Sequence, residues 1–109
     1  MPDTIFGKIA RGEIEVEKIY EDEICLAFPD AAPQAPVHIL VIPREPVQDA
    51  TQSDASTLGH LFSVAAKLGK EHCPNGFRLV TNIGEDGGQS VSHLHVHVLG
   101  GRAPGWPPG

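Results

Sequence analysis

Hydrophobic and polar positions alternate most strictly over Ser92-His93-Leu94-His95-Val96-His97-Val98-Leu99. A period of two is the pattern of a β-strand, whose side chains point to opposite faces in turn. The pattern predicts a strand with His93, His95 and His97 on one face, about 6.6 Å apart from Cα to Cα. Its other face is aliphatic and needs a core to pack on. Elsewhere the pattern predicts a short helix over Thr4–Arg11, capped by Asp3 and ended by Gly12, with Ile5, Phe6 and Ile9 as its apolar stripe. Val16–Glu21 reads as a weakly alternating strand. Ile24–Phe28 is a continuous apolar run, as in a central strand buried on both faces.

Glu21-Asp22-Glu23 reads as a turn with solvated charges. Pro29–Pro36 is a loop stiffened by its prolines, and Val37–Ile42 is a third strand closed by Pro43. Arg44–Gln52 is a polar loop. Ser53 or Asp54 caps a long helix running to about Glu71, with Leu58, Leu61, Phe62, Ala65 and Leu68 at core spacing. His60, Lys67 and Lys70 fall on its wet side, and His60 and His72 read as surface residues. Cys73-Pro74-Asn75-Gly76 stops the helix. Phe77–Ile83 is a fourth strand. Gly84–Ser90 is a glycine-rich connection into the histidine strand. The expected architecture is α+β: a mostly antiparallel, five-stranded sheet with a short N-terminal helix and one long helix on one face. The tail Gly100–Gly109 has no packing period and should be extended, with Trp106 docked on this chain or a partner.

The length of 109 residues fits a single domain with one modest core. No apolar run approaches the roughly 20 residues that span a bilayer, and the start, Met1-Pro2-Asp3-Thr4, has no export-signal pattern. Cys25 reads as a buried thiol and Cys73 as a helix-end residue; neither has metal spacing, and a reduced, cytoplasmic setting is expected. Eight basic against 14 acidic residues give a net charge of −6. That argues against a polynucleotide partner, but not against one small phosphate held by backbone N–H groups, hydroxyls and imidazoles.

One histidine on a strand is usually structural. Three in register call for a site, because each buried imidazole needs partners for two ring nitrogens. Zinc binding by a His-x-His pair is one reading; acid–base or nucleophilic catalysis is the other. His38, alone in an aliphatic strand, is a core histidine or a fourth member of the site. Asp30 caps its turn or accepts hydrogen bonds from sugar hydroxyls. Asn82 is an edge residue or part of the site. The glycine-rich turn delivers Gln89 and Ser90 beside the histidines, and its amides can form an anion nest.

These residues together resemble the histidine triad family, and within it the Hint branch of nucleotide-binding proteins. The resemblance covers nearly the whole chain. It rests on Ile5-Phe6-Gly7-Lys8-Ile9, Cys25-Leu26-Ala27-Phe28 with Asp30, Pro33-Gln34-Ala35-Pro36 with His38, and Val41-Ile42-Pro43. It continues through Asn82 with Gly84, Asp86-Gly87-Gly88-Gln89-Ser90-Val91 and His93-x-His95-x-His97-Val98-Leu99-Gly100-Gly101-Arg102, to Trp106-Pro107-Pro108-Gly109.

The resemblance implies a homodimer whose sheets join, binding of purine nucleoside monophosphates, and hydrolysis of nucleoside phosphoramidates without metal or cofactor. By it, His95 is the nucleophile, and His97 and Ser90 contact the phosphate with the backbone near Gly88 and Gln89. Asn82 lines the phosphate site. Asp30, with Ala31 beside it, takes the ribose. Ile5, Phe6, Ile9 and Phe28 form the base slot. His38 and His93 tune protons, and Trp106 reaches the neighbouring subunit. The Gly-Gly-Gln-Ser segment and the Trp-Pro-Pro-Gly end argue against the sister branch of dinucleoside polyphosphate hydrolases. A regulatory nucleotide-binding module and a zinc-binding domain are the other readings.

Overall fold

In the computed structural model, which describes residues 3–109, helix α1 (Ile5–Ala10) comes first, then strands β1 (Tyr20–Glu21), β2 (Cys25–Pro29) and β3 (Val37–Pro43). A 3₁₀ turn (Ala50–Gln52) leads to helix α2 (Ala55–His72), followed by β4 (Phe77–Val80) and β5 (Val96–Gly100). The sheet order is β1-β2-β3-β5-β4, with every neighbouring pair antiparallel. This is the five-stranded α+β architecture expected from the pattern. Met1 and Pro2, part of the start read as lacking an export signal, lie outside the described residues. No helix among the described residues is long and apolar enough to cross a membrane.

Period-two alternation divides the core between the two sides of the sheet. Cys25, Ala27, Ile39, Val41, Leu94, Val96 and Val98 pack on Leu61, Val64, Ala65 and Leu68 of α2. Leu26, Phe28, Leu40 and Ile42 face the opposite way, against Phe6, Ile9 and Ala10 of α1. Strands β2 and β3 are thus buried on both faces, as the unbroken apolar run of β2 implied. Burying a side chain such as Phe6 or Ile9 contributes roughly 1.5–3 kcal/mol, which holds a six-residue helix that would not persist alone. In α2, Leu58 and Phe62 are only partly buried, and Val64 takes a fully buried place that the spacing argument missed. Gly69 lets β4 approach closely: a Cβ there would lie 2.4 Å from the Phe77 ring.

Several boundaries differ from the sequence reading. Thr4, not Asp3, caps α1, its Oγ1 accepting from the Gly7 N–H at 3.0 Å. The Asp3 carboxylate instead clamps both terminal nitrogens of Arg11. Only Tyr20 and Glu21 of the Val16–Glu21 segment pair with β2, because Val16 turns to pack with the α1 cluster. The long helix is capped by Asp54, which accepts from Thr57 N–H at 2.7 Å.

The acidic turn is also different. Asp22 is not a solvated charge: it accepts from the Ile24 and Cys25 amides, the Tyr20 hydroxyl and His60 Nε2, the last at 2.7 Å. His60 therefore ties α2 to the β1–β2 turn rather than lying free on the surface. Burial alone would raise the Asp22 carboxyl, but these donors outweigh it and hold the group well below the ordinary carboxylate range. Both cysteines are buried free thiols.

Candidate active site

The histidine strand is shorter than its alternation suggested. Regular pairing begins at Val96, and His93-Leu94-His95 precede it as irregular chain. Val41 pairs with Val96, and the next facing position on β3 is Pro43, which has no N–H to donate. The freed groups find other partners. His93 Nε2–H donates to the Pro43 carbonyl at 3.0 Å, and the Leu94 N–H donates to the Val47 carbonyl at 2.8 Å. The alternation of faces survives the loss of the ladder. Leu94 still points to the α2 side, while His93 and His95 stack their edges against Phe6 on the α1 side.

Register brings His38 into the same group. On β3 it lies opposite Leu99, diagonal to His97 on β5. Two imidazoles span that diagonal, and His38 Nε2 stands 2.9 Å from His97 Nδ1. The His95 and His97 rings are 4.9 Å apart.

The protonated nitrogen of each ring follows from its fixed partners. The Gln34 N–H points at His38 Nδ1 from 3.0 Å, so that nitrogen accepts and Nε2 carries the proton. His38 Nε2–H then donates to His97 Nδ1, which leaves the His97 proton on Nε2. His95 Nδ1–H donates to the His93 carbonyl at 2.7 Å, leaving the lone pair on Nε2. Burial lowers all four imidazoles below their ordinary values. For His97, burial joined by the nearby His95 and His38 rings brings the value to about 4. All four are neutral at pH 7. Among the described residues, no buried side-chain nitrogen or oxygen lacks a hydrogen-bond partner.

The array opens on a cleft of about 280 Å³ beneath α1. Ile5, Phe6, Ile9, Phe28, Asp30, Ala31, Ser90, His95 and His97 line it, all of them sequence-predicted. Ile14, Val16, Pro29, Leu40 and Val91 also line it and were missed; the β3 parity shared by Leu40 and His38 was the one signal for any of them. The Asp30 carboxylate accepts from the Ala32 N–H and lies 3.4 Å from His38 Nε2. It therefore caps its turn and still faces the site.

Other expected residues stand behind or away from the cleft. His93 and His38 form a buried layer behind its wall. The Gly88 N–H donates to the Glu85 carbonyl and the Gln89 N–H to the Gly84 carbonyl, so these two amides close the turn rather than form an open anion nest. The Gln89 side chain is engaged elsewhere: its Nε2 donates to the Gln48 carbonyl of the loop before α2 and to the Val91 carbonyl. Asn82 Nδ2 donates to the Gly87 carbonyl at 2.7 Å. Trp106 is 84% exposed and does not line the cleft of its own chain. A larger hollow of about 730 Å³ lies at the far end of β5, between the α2 terminus and the tail, and holds none of the histidine array.

Among the described residues, two groups bring metal-ligating atoms together, Asp30–His38–His97 and Asp22–Cys25–His60. Two nitrogens on one tetrahedral zinc stand about 3.3 Å apart, given Zn–N bonds near 2.05 Å. The 2.9 Å between His38 and His97 is a hydrogen-bond distance. In the second group, burial and the Asp22 carboxylate push the Cys25 thiol up to about 12, so it holds its proton.

An open antiparallel sheet with paired imidazoles over an apolar slot defines a class, and comparison with known proteins identifies it. The family model described as HIT domain matches residues 11–104. An uncharacterised HIT-like protein of Synechococcus elongatus is 55% identical over 111 residues, covering 98% of this chain and 97% of that one. The crystal structure of a HIT family hydrolase from Legionella pneumophila superposes with a TM-score of 0.92 at 41% identity, covering 98% of this chain and all of the other. A histidine triad protein from Clostridium difficile gives 0.86 at 41% identity, covering 97% and 99%. The chain belongs to the HIT domain family and has the fold of its hydrolases.

Proposed function

We propose that this protein is a purine nucleoside phosphoramidase of the Hint branch, cleaving the P–N bond of adenosine or guanosine 5′-phosphoramidates, aminoacyl- or lysyl-linked AMP among them. One observation carries the reading: the hydrogen-bond chain leaves a lone pair on His95 Nε2 and a proton on His97 Nε2, side by side in one cleft. A nucleophile and a proton donor are the two groups that P–N cleavage needs. The apolar side chains of α1 and Phe28 suit a purine face, and Asp30 suits ribose hydroxyls.

In the first half-reaction, His95 Nε2 bonds to phosphorus as the P–N bond breaks. The bonding pair goes to nitrogen, which takes a proton from His97 Nε2 and leaves as a neutral amine. A solvent proton reaches His97 as its own departs, so the ring stays a neutral imidazole and no imidazolate forms. In the second half, water attacks phosphorus and the His95–P bond breaks. The pair returns to Nε2, and the water's surplus proton is released, restoring the count. Ser90 and His97 meet the nonbridging oxygens, while Asn82, Gly88 and Gln89 hold the turn that presents Ser90. His38 and His93 fix the proton positions. No step calls for a metal or cofactor.

Strand β4 lies at an open edge of the sheet, where unpaired backbone groups can take a second copy, giving a homodimer in which Trp106 meets the partner's cleft. The free thiols agree with a cytoplasmic setting. The acidic balance disfavours a polynucleotide partner.

The test is intact mass spectrometry after rapid mixing with an adenosine 5′-phosphoramidate. A transient adduct of one nucleotidyl group, absent in H95A and H95G, is expected. Turnover near the wild-type rate in H95A would refute the nucleophile assignment. Binding with no adduct and no turnover in the wild type would favour a regulatory nucleotide-binding module.

A further inference from the structure

The polarity of the proton chain depends on the backbone of an exposed loop. The Gln34 N–H decides that His38 carries its proton on Nε2. With the other tautomer, His38 Nδ1–H would face the Gln34 N–H, and Nε2 would have nothing to donate to His97. The orientation of the Gln34 backbone therefore controls where the His97 proton sits.

Pro33 and Pro36 fix their own φ angles but leave the torsions of Gln34 free. Hydrogen bonds must set them. Although Gln34 is exposed, all its polar groups with an assigned partner pull in definite directions. Its side-chain amide donates to the Ala32 carbonyl at 2.9 Å, its N–H to His38, and its carbonyl accepts from Arg102 Nη2 at 3.0 Å. Apart from the bond to His38 itself, the last contact is the one that reaches Gln34 from outside the loop. Arg102 stands one residue beyond Gly101, whose φ of +87° and lack of a side chain let the chain press on Pro36; a Cβ there would come within 2.7 Å of the Pro36 Cβ. The root of the C-terminal tail is thus braced against the loop that orients His38.

We propose that Arg102 is a positioning residue for proton delivery: by holding the Gln34 carbonyl it keeps the Gln34 N–H on His38 Nδ1, and so keeps the His97 proton directed at the leaving nitrogen. The inference rests on the phosphoramidase reading for its consequence in catalysis, but not for its effect on the rings. Arg102 does not line the cleft. Its loss affects the step that needs a proton and spares one that does not.

Two substrates separate these steps. An alkylamine adenosine 5′-phosphoramidate needs a proton on its leaving group; adenosine 5′-(p-nitrophenyl phosphate) releases nitrophenolate without one. R102A should lower kcat for the amine by about threefold to tenfold, the range set by losing one hydrogen bond's worth of orientation, with KM and the nitrophenyl ester rate nearly unchanged. R102K, which keeps a cationic donor, should recover part of the amine rate. Nitrogen-15 NMR of ring-labelled histidine should show His38 protonated on Nε2 in the wild type and a mixture of tautomers in R102A.

Equal losses on both substrates would reduce Arg102 to a general structural role and overturn the proposal. An unchanged amine rate with an unchanged His38 ring would overturn it as well. If the wild type turns over neither substrate, the phosphoramidase reading fails by itself, and the ring spectra of R102A decide whether Arg102 sets the His38 tautomer.

Discussion

His38 Nε2 donates to His97 Nδ1 across 2.9 Å, joining β3 to β5 through two rings that stand 59 residues apart in the chain. The bond turns two buried imidazoles into one directional unit: the proton that His97 presents to the cleft is fixed by what His38 presents to His97. Removing either ring alters the other.

Replacing His38 with Ala should therefore lower turnover of an amine phosphoramidate by about 10- to 100-fold, less than the roughly 100- to 10,000-fold worth of a positioned acid, because His97 itself remains. His95 keeps its own bond to the His93 carbonyl, so the covalent adduct should still form with a nitrophenyl ester. Stopped-flow kinetics on the two substrates would check this.

Acid should destabilise the fold before it reaches the carboxylates. The buried histidines bind protons less readily in the folded chain than in the unfolded one. Between an unfolded pKa near 6.5 and a folded value of about 4 for His97, the unfolded state holds more protons, and stability falls as pH falls. His97 alone accounts for a loss of up to ~3 kcal/mol by pH 4. Urea unfolding at pH 7, 5.5 and 4.5 should show a falling midpoint, and H97N should flatten the slope.

Asp22 should matter more for stability than its place in an acidic run suggests. D22A leaves the Ile24 and Cys25 amides and the His60 ring without their common acceptor. A loss of about 2–3 kcal/mol is expected in urea unfolding, with E23A, one residue away, within about 0.5 kcal/mol of wild type.

Thr4 links helix capping to ligand binding. T4A removes the acceptor for the Gly7 N–H and should cost α1 about 1 kcal/mol. Because α1 carries Phe6 over His95, with ring centroids 5.0 Å apart, loosening it opens the apolar slot. The expected outcome is a several-fold rise in KM with a smaller change in kcat, measured on the adenosine phosphoramidate.

Much of this molecule was legible along the chain because short-range rules govern it. The unbroken apolar run of Ile24–Phe28 marks a strand buried on both sides, which the structure starts at Cys25, and the spacing of Leu61, Ala65 and Leu68 marks the face of α2 that meets the sheet. The parity of His93, His95 and His97 survived even where the strand did not, since alternation is a property of extended backbone whether or not it is laddered. What escaped were partners supplied from a distance. Nothing near His60 in sequence points to Asp22, which lies 38 residues earlier. The amides of Gly88 and Gln89 escaped for a different reason: their acceptors, Glu85 and Gly84, are close in sequence, but a glycine-rich segment has several ways to turn and only the folded loop shows which carbonyls they meet.

Local patterning by itself determined the elements, their two-sided burial and the residue types available for chemistry, because each depends on backbone periodicity and side-chain polarity alone. Only the tertiary structure decided which nitrogen of each imidazole bears a proton. That choice belongs to the Gln34 amide, the His93 and Pro43 carbonyls and the diagonal pairing of two strands, and a hydrogen bond's direction exists only once both of its ends have been placed.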